Sequence, residues 1–205
     1  MVLVAVSQEV TAFPARNERR DTLDQRLSLL LSSTGYFPVP VPNGLTLATS
    51  DGPSPIDPVA AWMTNINARA VVLSGGSDIG TSPERDSTES RLLAYAKSHR
   101  LPVLGVCRGM QMMAVWCGLE LKPVTGHVRT RHALHGEISG PANSFHSFAL
   151  SGCPPDFVVI ARSEDDSIEA IRHNSLLWEG WMWHPEREEM FAARDIQRLK
   201  SLFGQ

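Results

Sequence analysis

Hydrophobic positions divide this chain into two halves with different periods. In the first 118 residues, short apolar runs alternate with segments of helical spacing. Leu3–Val6, Pro38–Val41, Ala70–Leu73 and Leu101–Val106 read as strands. Between them, Asp21–Ser33 places Leu23, Leu27, Leu30 and Leu31 on one helical face and stops at Gly35. A short helix opens at Asp57-Pro58, with proline at the first helical position. Thr88–Ser98 puts Leu92, Leu93 and Ala96 on one side, and Met110–Trp116 ends at Gly118. After residue 118 the helical spacing fades. Ser147–Leu150, Phe157–Ala161, Ile168–Ile171 and Trp178–Trp183 read as strands separated by turns, and Arg187–Leu202 reads as a closing helix. Strands alternating with helices imply βαβ units and a parallel sheet. The expected fold class is therefore α/β: a mostly parallel central sheet flanked by helices, with a β-rich C-terminal segment. The expected organisation is one domain over residues 1–205.

Composition narrows the class of protein. A chain of 205 residues is long enough for a full α/β core. The net charge of −3 gives no basic surface for nucleic acid. The three cysteines have neither a disulfide-framework nor a zinc spacing, which fits a reducing cytoplasm. The apolar start, Met1–Val6, meets Gln8 and Glu9 at once and has no basic lead, so it reads as a first strand rather than a signal peptide. No stretch approaches a membrane span. Asn43–Pro58, rich in Pro, Ser, Gly and Asp, reads as a surface loop.

The most informative segment joins a strand to a helix through Gly105-Val106-Cys107-Arg108-Gly109. A nucleophile between two glycines at such a junction is an elbow of G-x-C-x-G type. The glycines leave room for a strained turn, and the free N–H groups at the helix start favour a thiolate. A free cysteine at a strand end is more often an ordinary core residue, and the elbow alone does not overturn that reading. Cys117 and Cys153 lack the glycine pair and read as structural.

A thiol nucleophile needs a base and a group that orients it. His184 ends the apolar stretch Gly180-Trp181-Met182-Trp183, with Glu186 two residues on and Pro185 between them. If the strand continues, His184 and Glu186 share a side. A solvated strand-end pair fits the spacing as well. For the oxyanion, the elbow offers the Arg108 N–H, and the Ser74-Gly75-Gly76-Ser77-Asp78 turn offers Gly75 or Gly76. Gln111 lies one helical turn past Cys107, on the same face. His127, His132 and His135 have no cysteine or carboxylate at a zinc spacing, so no metal site is expected.

Four stretches together, Val72–Asp78, Gly105–Gln111, Asn143–His146 and His184–Glu186, resemble the class I glutamine amidotransferase-like superfamily, and within it the γ-glutamyl hydrolase (peptidase C26-like) branch. The resemblance covers nearly the whole chain and implies a flavodoxin-like sheet. It implies Cys107 as nucleophile, His184 as base, Glu186 as orienter, and Gly76 and Arg108 as oxyanion donors. It further implies that Gly75, Gln111, Ser144, Phe145 and His146 line the γ-glutamyl site. Arg19–Asp24, Pro83–Glu89, Gly126–Arg129 and Trp183–Arg187 look like the γ-glutamyl-CDP-amidate hydrolases of capsule phosphoramidate biosynthesis. That finer resemblance adds Arg19, Arg20, Arg85, His127 and Arg129 as contacts to the leaving group. Arg16, Arg19, Arg20, Arg129 and Arg131 are also cations suited to a diphosphate, although each reads equally well as solvated surface. The implied partner is a small γ-glutamyl molecule conjugated to a nucleotide, hydrolysed through a thioester with no cofactor. The alternatives are a glutaminase subunit feeding ammonia to a separate synthase, a γ-glutamyl-GABA or peptide hydrolase, and a non-enzymatic member of the fold.

Overall fold

The computed structural model of the chain describes residues 2–47 and 56–204. Its order is β1 (Val2–Val6), β2 (Glu9–Phe13), β3 (Glu18–Thr22), α1 (Gln25–Ser33), β4 (Tyr36–Pro40), α2 (Pro58–Asn65), β5 (Ala70–Leu73), α3 (Pro83–His99), β6 (Val103–Val106) and α4 (Arg108–Trp116). There follow β7 (Leu121–Pro123), β8 (Val128–Gly136), β9 (Gly140–Phe145), β10 (Phe148–Leu150), β11 (Phe157–Arg162), β12 (Ile168–His173), β13 (Trp178–Trp181) and α5 (Ala193–Phe203). Nine strands form one sheet in the order β4-β1-β5-β6-β13-β12-β11-β8-β9. The first five are parallel to their neighbours, and every pairing from β13 to β9 is antiparallel. The sheet is thus the expected one, mostly parallel at its centre and β-rich toward the C-terminus.

The central strands are apolar on both faces because helices cover both. Val4 and Val6 point into a core shared with Leu27 and Leu31 of α1 and with Trp181 and Trp183. Ala5, Val71 and Leu73 point the other way, onto Leu92 and Leu93 of α3 and Met110 and Met113 of α4. Strand β13, although late in the chain, inserts beside β6 with Trp181 opposite Val106. That register brings the carboxyl ends of β6 and β13 together, where α/β sheets build their sites.

Some expected boundaries move. The helix expected over Asp21–Ser33 begins at Gln25, capped by the Asp24 carboxylate, which accepts from the Arg26 N–H at 2.9 Å. Asp21 and Thr22 are instead the last residues of β3, paired with Val10 and Glu9 of β2, and the Asp21 carboxylate accepts from Asn43 N and Nδ2, both at 2.9 Å. The closing helix expected from Arg187 begins at Ala193. Arg187 ends a 3₁₀ turn instead, and the irregular backbone that follows is strapped by Arg26, which donates to the carbonyls of Glu186 at 2.7 Å, Glu188, and Glu189 at 3.4 Å. Helix α3 starts five residues before Thr88, because its first turn is polar and carries no apolar period. The loop expected over Asn43–Pro58 opens as a 3₁₀ turn at Asn43–Thr46 and gives way to α2 at Pro58; residues 48–55 within it lie outside the described residues.

Helix α4 sits so close to the sheet that only glycine fits at position 109, where an added Cβ would overlap the Leu73 carbonyl oxygen of β5. Gly109→Ala is expected to lose about 1–3 kcal/mol of stability, as overpacking against backbone does. Gly44→Ala, which meets nothing within 4 Å, should stay within about 0.5 kcal/mol of the parent. Urea unfolding of both variants measures the contrast, and equal stabilities would contradict the packing described.

Candidate active site

Cys107 stands between β6 and α4 with φ 49° and ψ −104°, a backbone conformation that side-chain-bearing residues rarely adopt. Its N–H donates to the Trp181 carbonyl of β13 at 2.7 Å, and its own carbonyl accepts the Gln111 N–H at 3.1 Å. The strained turn is therefore pinned from both sides. The pattern read as an elbow is one.

Three residues past Trp181, His184 closes on the elbow. Its backbone is gripped by Asn143 of β9: the His184 N–H donates to Asn143 Oδ1 at 2.9 Å, and Asn143 Nδ2 donates to the His184 carbonyl at 2.8 Å. The ring faces Cys107 and Glu186, with Nδ1 at 2.6 Å from Glu186 Oε1. The strand does not continue to bring Glu186 to this side, as the spacing suggests. Strand β13 ends at Trp181, and Pro185–Arg187 form a 3₁₀ turn that folds Glu186 back onto the ring. All three residues, Cys107, His184 and Glu186, are buried. Burial opposes a charge on His184, but its hydrogen bonds and charge attraction to Cys107 and Glu186 outweigh that and raise its pKa to about 9. The Phe145 ring meets the His184 ring edge-on, and the Arg187 guanidinium lies 4.9 Å from the Phe145 centroid.

Gly75 packs directly under the His184 ring, where an added Cβ would overlap Cε1. Among the described residues, neither Gly75 nor Gly76 gives its backbone N–H to a protein acceptor. The Arg108 N–H lies in the first turn of α4, whose amides have no intrahelical acceptor. Two sets of free donors thus flank Cys107.

A buried ionic fork ties those two sets together. Arg85 donates to the carbonyls of Ser74 at 2.8 Å and Gly75 at 3.0 Å, and through Nε to Glu89 at 3.0 Å. The other Glu89 oxygen takes the Arg108 side chain, which also pairs with Asp86. Burial and Arg108 press the Arg85 pKa down, and Glu89 opposes them. Arg85, expected at the leaving group, is 1% exposed and clamps the glycine turn from the inside, with Nη1 buried and unpartnered beside Gly76.

The remaining expected contacts divide. Gln111 and Ser144 are buried near the elbow: Gln111 Nε2 donates to the Phe148 carbonyl at 2.9 Å, and Ser144 Oγ donates to the His127 carbonyl at 2.7 Å. His127 and His146 face each other, Nδ1 to Nε2, at 3.2 Å behind that wall. The β2–β3 hairpin leaves Arg19 paired to Glu84 at 2.7 Å and Arg20 paired to Glu18 over the Phe13 ring. Arg131 pairs with Glu188 at 3.1 Å, and Arg16 and Arg129 are exposed. The hairpin flanks the glycine turn, since Glu9 accepts from the Ser77 N–H at 3.0 Å. A cavity of about 250 Å³ opens there, lined by Glu9, Leu23, Asp24, Gly75, Gly76 and Arg187 among others. Three further residues shape the site in roles that the sequence does not assign: Asn143 as a clasp, Glu89 as a fork and Arg26 as a strap. Asn143 and Glu89 fall within stretches that carry the resemblance, but Asn143 and Arg26 hold backbone groups at least 41 positions away and Glu89 joins two different helices, so no local pattern gives these roles.

The chain belongs to the class-I glutamine amidotransferases, whose family model matches residues 48–190. It is 33% identical over 142 residues to the gamma-glutamyl-CDP-amidate hydrolase of Campylobacter jejuni subsp. jejuni serotype O:2, covering 66% of this chain and 70% of that protein. It is 35% identical over 125 residues to a glutamine-hydrolysing GMP synthase subunit of Methanothrix thermoacetophila, covering 56% and 68%. Its fold matches a glutamine amidotransferase structure from Thermotoga maritima with a TM-score of 0.62, at 14% identity over 98% of this chain and 82% of that one. No helix among the described residues is long and apolar enough to cross a membrane.

The raised pKa of His184 couples its charge to folding. Because the folded value lies above the ordinary 6.5, the stabilisation is complete below about pH 6.5 and is lost as pH rises through about 9. Glu186→Gln removes one of the two groups that hold the proton. Urea unfolding from pH 6 to 10 should show a smaller alkaline loss of stability in Glu186→Gln than in the wild type. Identical losses would remove Glu186 as a partner of the charge.

Proposed function

We propose that this protein hydrolyses a γ-glutamyl amide through a thioester on Cys107. The observation that carries the reading is the strained Cys107 elbow facing a buried His184 whose far nitrogen is held by Glu186 at 2.6 Å. The Cys107 thiolate attacks the γ-carbonyl carbon, and the resulting oxyanion accepts hydrogen bonds from the Gly76 and Arg108 N–H groups. The C–N bond breaks as His184 gives its proton to the departing nitrogen. Water, deprotonated by His184, then attacks the thioester, and the C–S bond breaks to release glutamate and restore the thiolate.

The electrostatics support that order of events. Cys107 and Glu186 both face His184 and raise its pKa. Forming the thioester removes the charge attraction of the first. The hold on the proton weakens as the leaving nitrogen needs it, and the neutral imidazole left behind is the base for the second step. Gln111 Oε1 and the Ser144–Phe145 backbone are the groups we assign to the amino and carboxylate ends of the γ-glutamyl unit.

For the leaving group we propose a nucleoside diphosphoramidate, as in γ-glutamyl-CDP-amidate. The relative from Campylobacter jejuni supports this, as does the hairpin carrying Arg19 and Arg20 beside the cavity at Gly75, Gly76 and Arg187. The relative among GMP synthase subunits favours a second reading, in which ammonia passes to a separate synthase. Steady-state kinetics decide between them. The first reading predicts that kcat/KM for a γ-glutamyl nucleoside diphosphoramidate exceeds that for glutamine by well over tenfold. Arg19→Ala or Arg20→Ala should raise KM for the conjugate about 10–100-fold at similar kcat, as loss of a charge-assisted contact made equally in ground and transition states would. Comparable kcat/KM for glutamine would overturn the specificity. Arginine variants with unchanged KM would return those residues to the solvated surface.

A further inference from the structure

Behind the Ser144–Phe145 wall lies a cluster that the mechanism does not use. His127, His132, His146 and Glu169 bring one ligand atom each within 4.8 Å of one another. Three of these residues are buried, and His132 is half-buried. His127 Nε2 lies 2.9 Å from Asp165 Oδ2, and His146 Nδ1 lies 3.0 Å from the Phe148 carbonyl. Both outer partners are acceptors, so each ring carries its proton on the outer nitrogen. The inner nitrogens, His127 Nδ1 and His146 Nε2, are then two lone pairs facing each other at 3.2 Å. Glu169 Oε1 stands 3.6 Å from each, a buried carboxylate oxygen with no hydrogen-bond partner. His132 Nε2 is likewise buried and unpartnered. Acceptors converging on one point without a donor are costly unless a cation joins them.

The spacing identifies the cation's class. Four ligands at about 2.0–2.1 Å from a tetrahedral zinc ion lie roughly 3.3–3.4 Å from one another. The separations among His127, His146 and Glu169 are 3.2, 3.6 and 3.6 Å, and His132 joins them within the 4.8 Å span of the set. Imidazole with a carboxylate is a donor set that suits zinc. The outer shell also has the form of a metal site, with a carboxylate on one histidine and a backbone carbonyl on the other. Asp165 is itself held in place behind His127, accepting from Ser163 Oγ at 2.7 Å and Ser167 Oγ at 3.1 Å.

We propose that His127, His132, His146 and Glu169 bind one zinc ion that braces the substrate wall. The sequence shows no carboxylate at a zinc spacing from its histidines; the fold supplies Glu169 from β12. The bracing is direct. The His127 carbonyl accepts Ser144 Oγ and the His146 N–H, and the Glu169 carbonyl accepts the Met182 N–H, two residues before His184. The Phe148 carbonyl serves both His146 and Gln111. Four protein ligands leave no open position, so the ion is structural and takes no part in the chemistry.

The test is zinc binding by full-length protein carrying Cys107→Ser, which removes the thiol as a competing ligand. After stripping with a chelator and dialysis against zinc, one equivalent per chain is expected by elemental analysis, with a zinc-dependent rise in Tm. Cobalt in its place should give the visible spectrum of a tetrahedral site. Asp165→Asn should weaken binding about 10–100-fold. His132→Ala and Glu169→Gln should lose stoichiometric binding, and His173→Ala should keep it. His132 is half-buried, so its variant remains informative if Glu169→Gln fails to fold. Absence of stoichiometric zinc in the folded parent would overturn the site and assign the cluster to a buried imidazolium shared by His127 and His146. Undiminished binding by His132→Ala and Glu169→Gln would overturn it too.

Discussion

The architecture of the candidate site depends on one buried carboxylate. Glu89 takes Arg85 on one oxygen and Arg108 on the other, and Ser7 Oγ donates to the first at 2.7 Å. Arg85 holds the carbonyls of the glycine turn, and Arg108 is the first residue of α4. The two backbone segments that flank the Cys107 thiol come from different βα units, and Glu89 sets the distance between them. Removing two guanidinium groups and a carboxylate from water costs several kcal/mol per ion, and losing one partner of such a set costs about 3–5 kcal/mol. The fold bears that cost where it fixes a distance. Elsewhere the same distance could drift by an ångström; here it decides whether two N–H groups meet one oxygen.

The same logic applies on the other side of the thiol. His184 lies beyond the end of its strand, where backbone would otherwise be loosely held. Asn143 grips its peptide, Glu186 grips its ring, and Arg26 straps the following carbonyls to α1. Each contact belongs to a different element, so the histidine is triangulated rather than carried by one strand. Its pKa of about 9 follows from this confinement, because a buried imidazole retains a proton only when anions face it.

The parts of this arrangement legible in the sequence are those whose signals are local. The elbow shows as two glycines around a cysteine, and the capped start of α2 shows as Asp57-Pro58. His184 and Glu186 show by their spacing, although the turn that joins them is 3₁₀ and not strand. Strands β8 and β9 carry no such signal because they are rich in polar residues, such as Thr130, His132, Asn143 and Ser144, which break the apolar alternation. Hairpin β2–β3 is silent for the same reason, being mostly polar and incompletely buried. Arg85 stands out in the sequence but cannot be placed from it, since an arginine's sequence neighbours do not reveal whether it faces solvent or an internal Glu89. The histidine–glutamate cluster has no linear metal-site spacing, and only the fold, which brings Glu169 of β12 to the ends of the β8–β9 hairpin, assembles it.

The claim on which the functional account rests is that a thioester forms at Cys107 and nowhere else. It can be tested directly by mixing the protein with a γ-glutamyl amide, quenching in acid and mapping peptides by mass spectrometry, with Glu186→Gln used to slow the second step. The account predicts a γ-glutamyl adduct on the peptide containing Cys107, appearing before glutamate accumulates and decaying as substrate is exhausted, with Cys117 and Cys153 unmodified. Turnover at full rate with no adduct on Cys107, or an adduct that persists in Cys107→Ser, would contradict it.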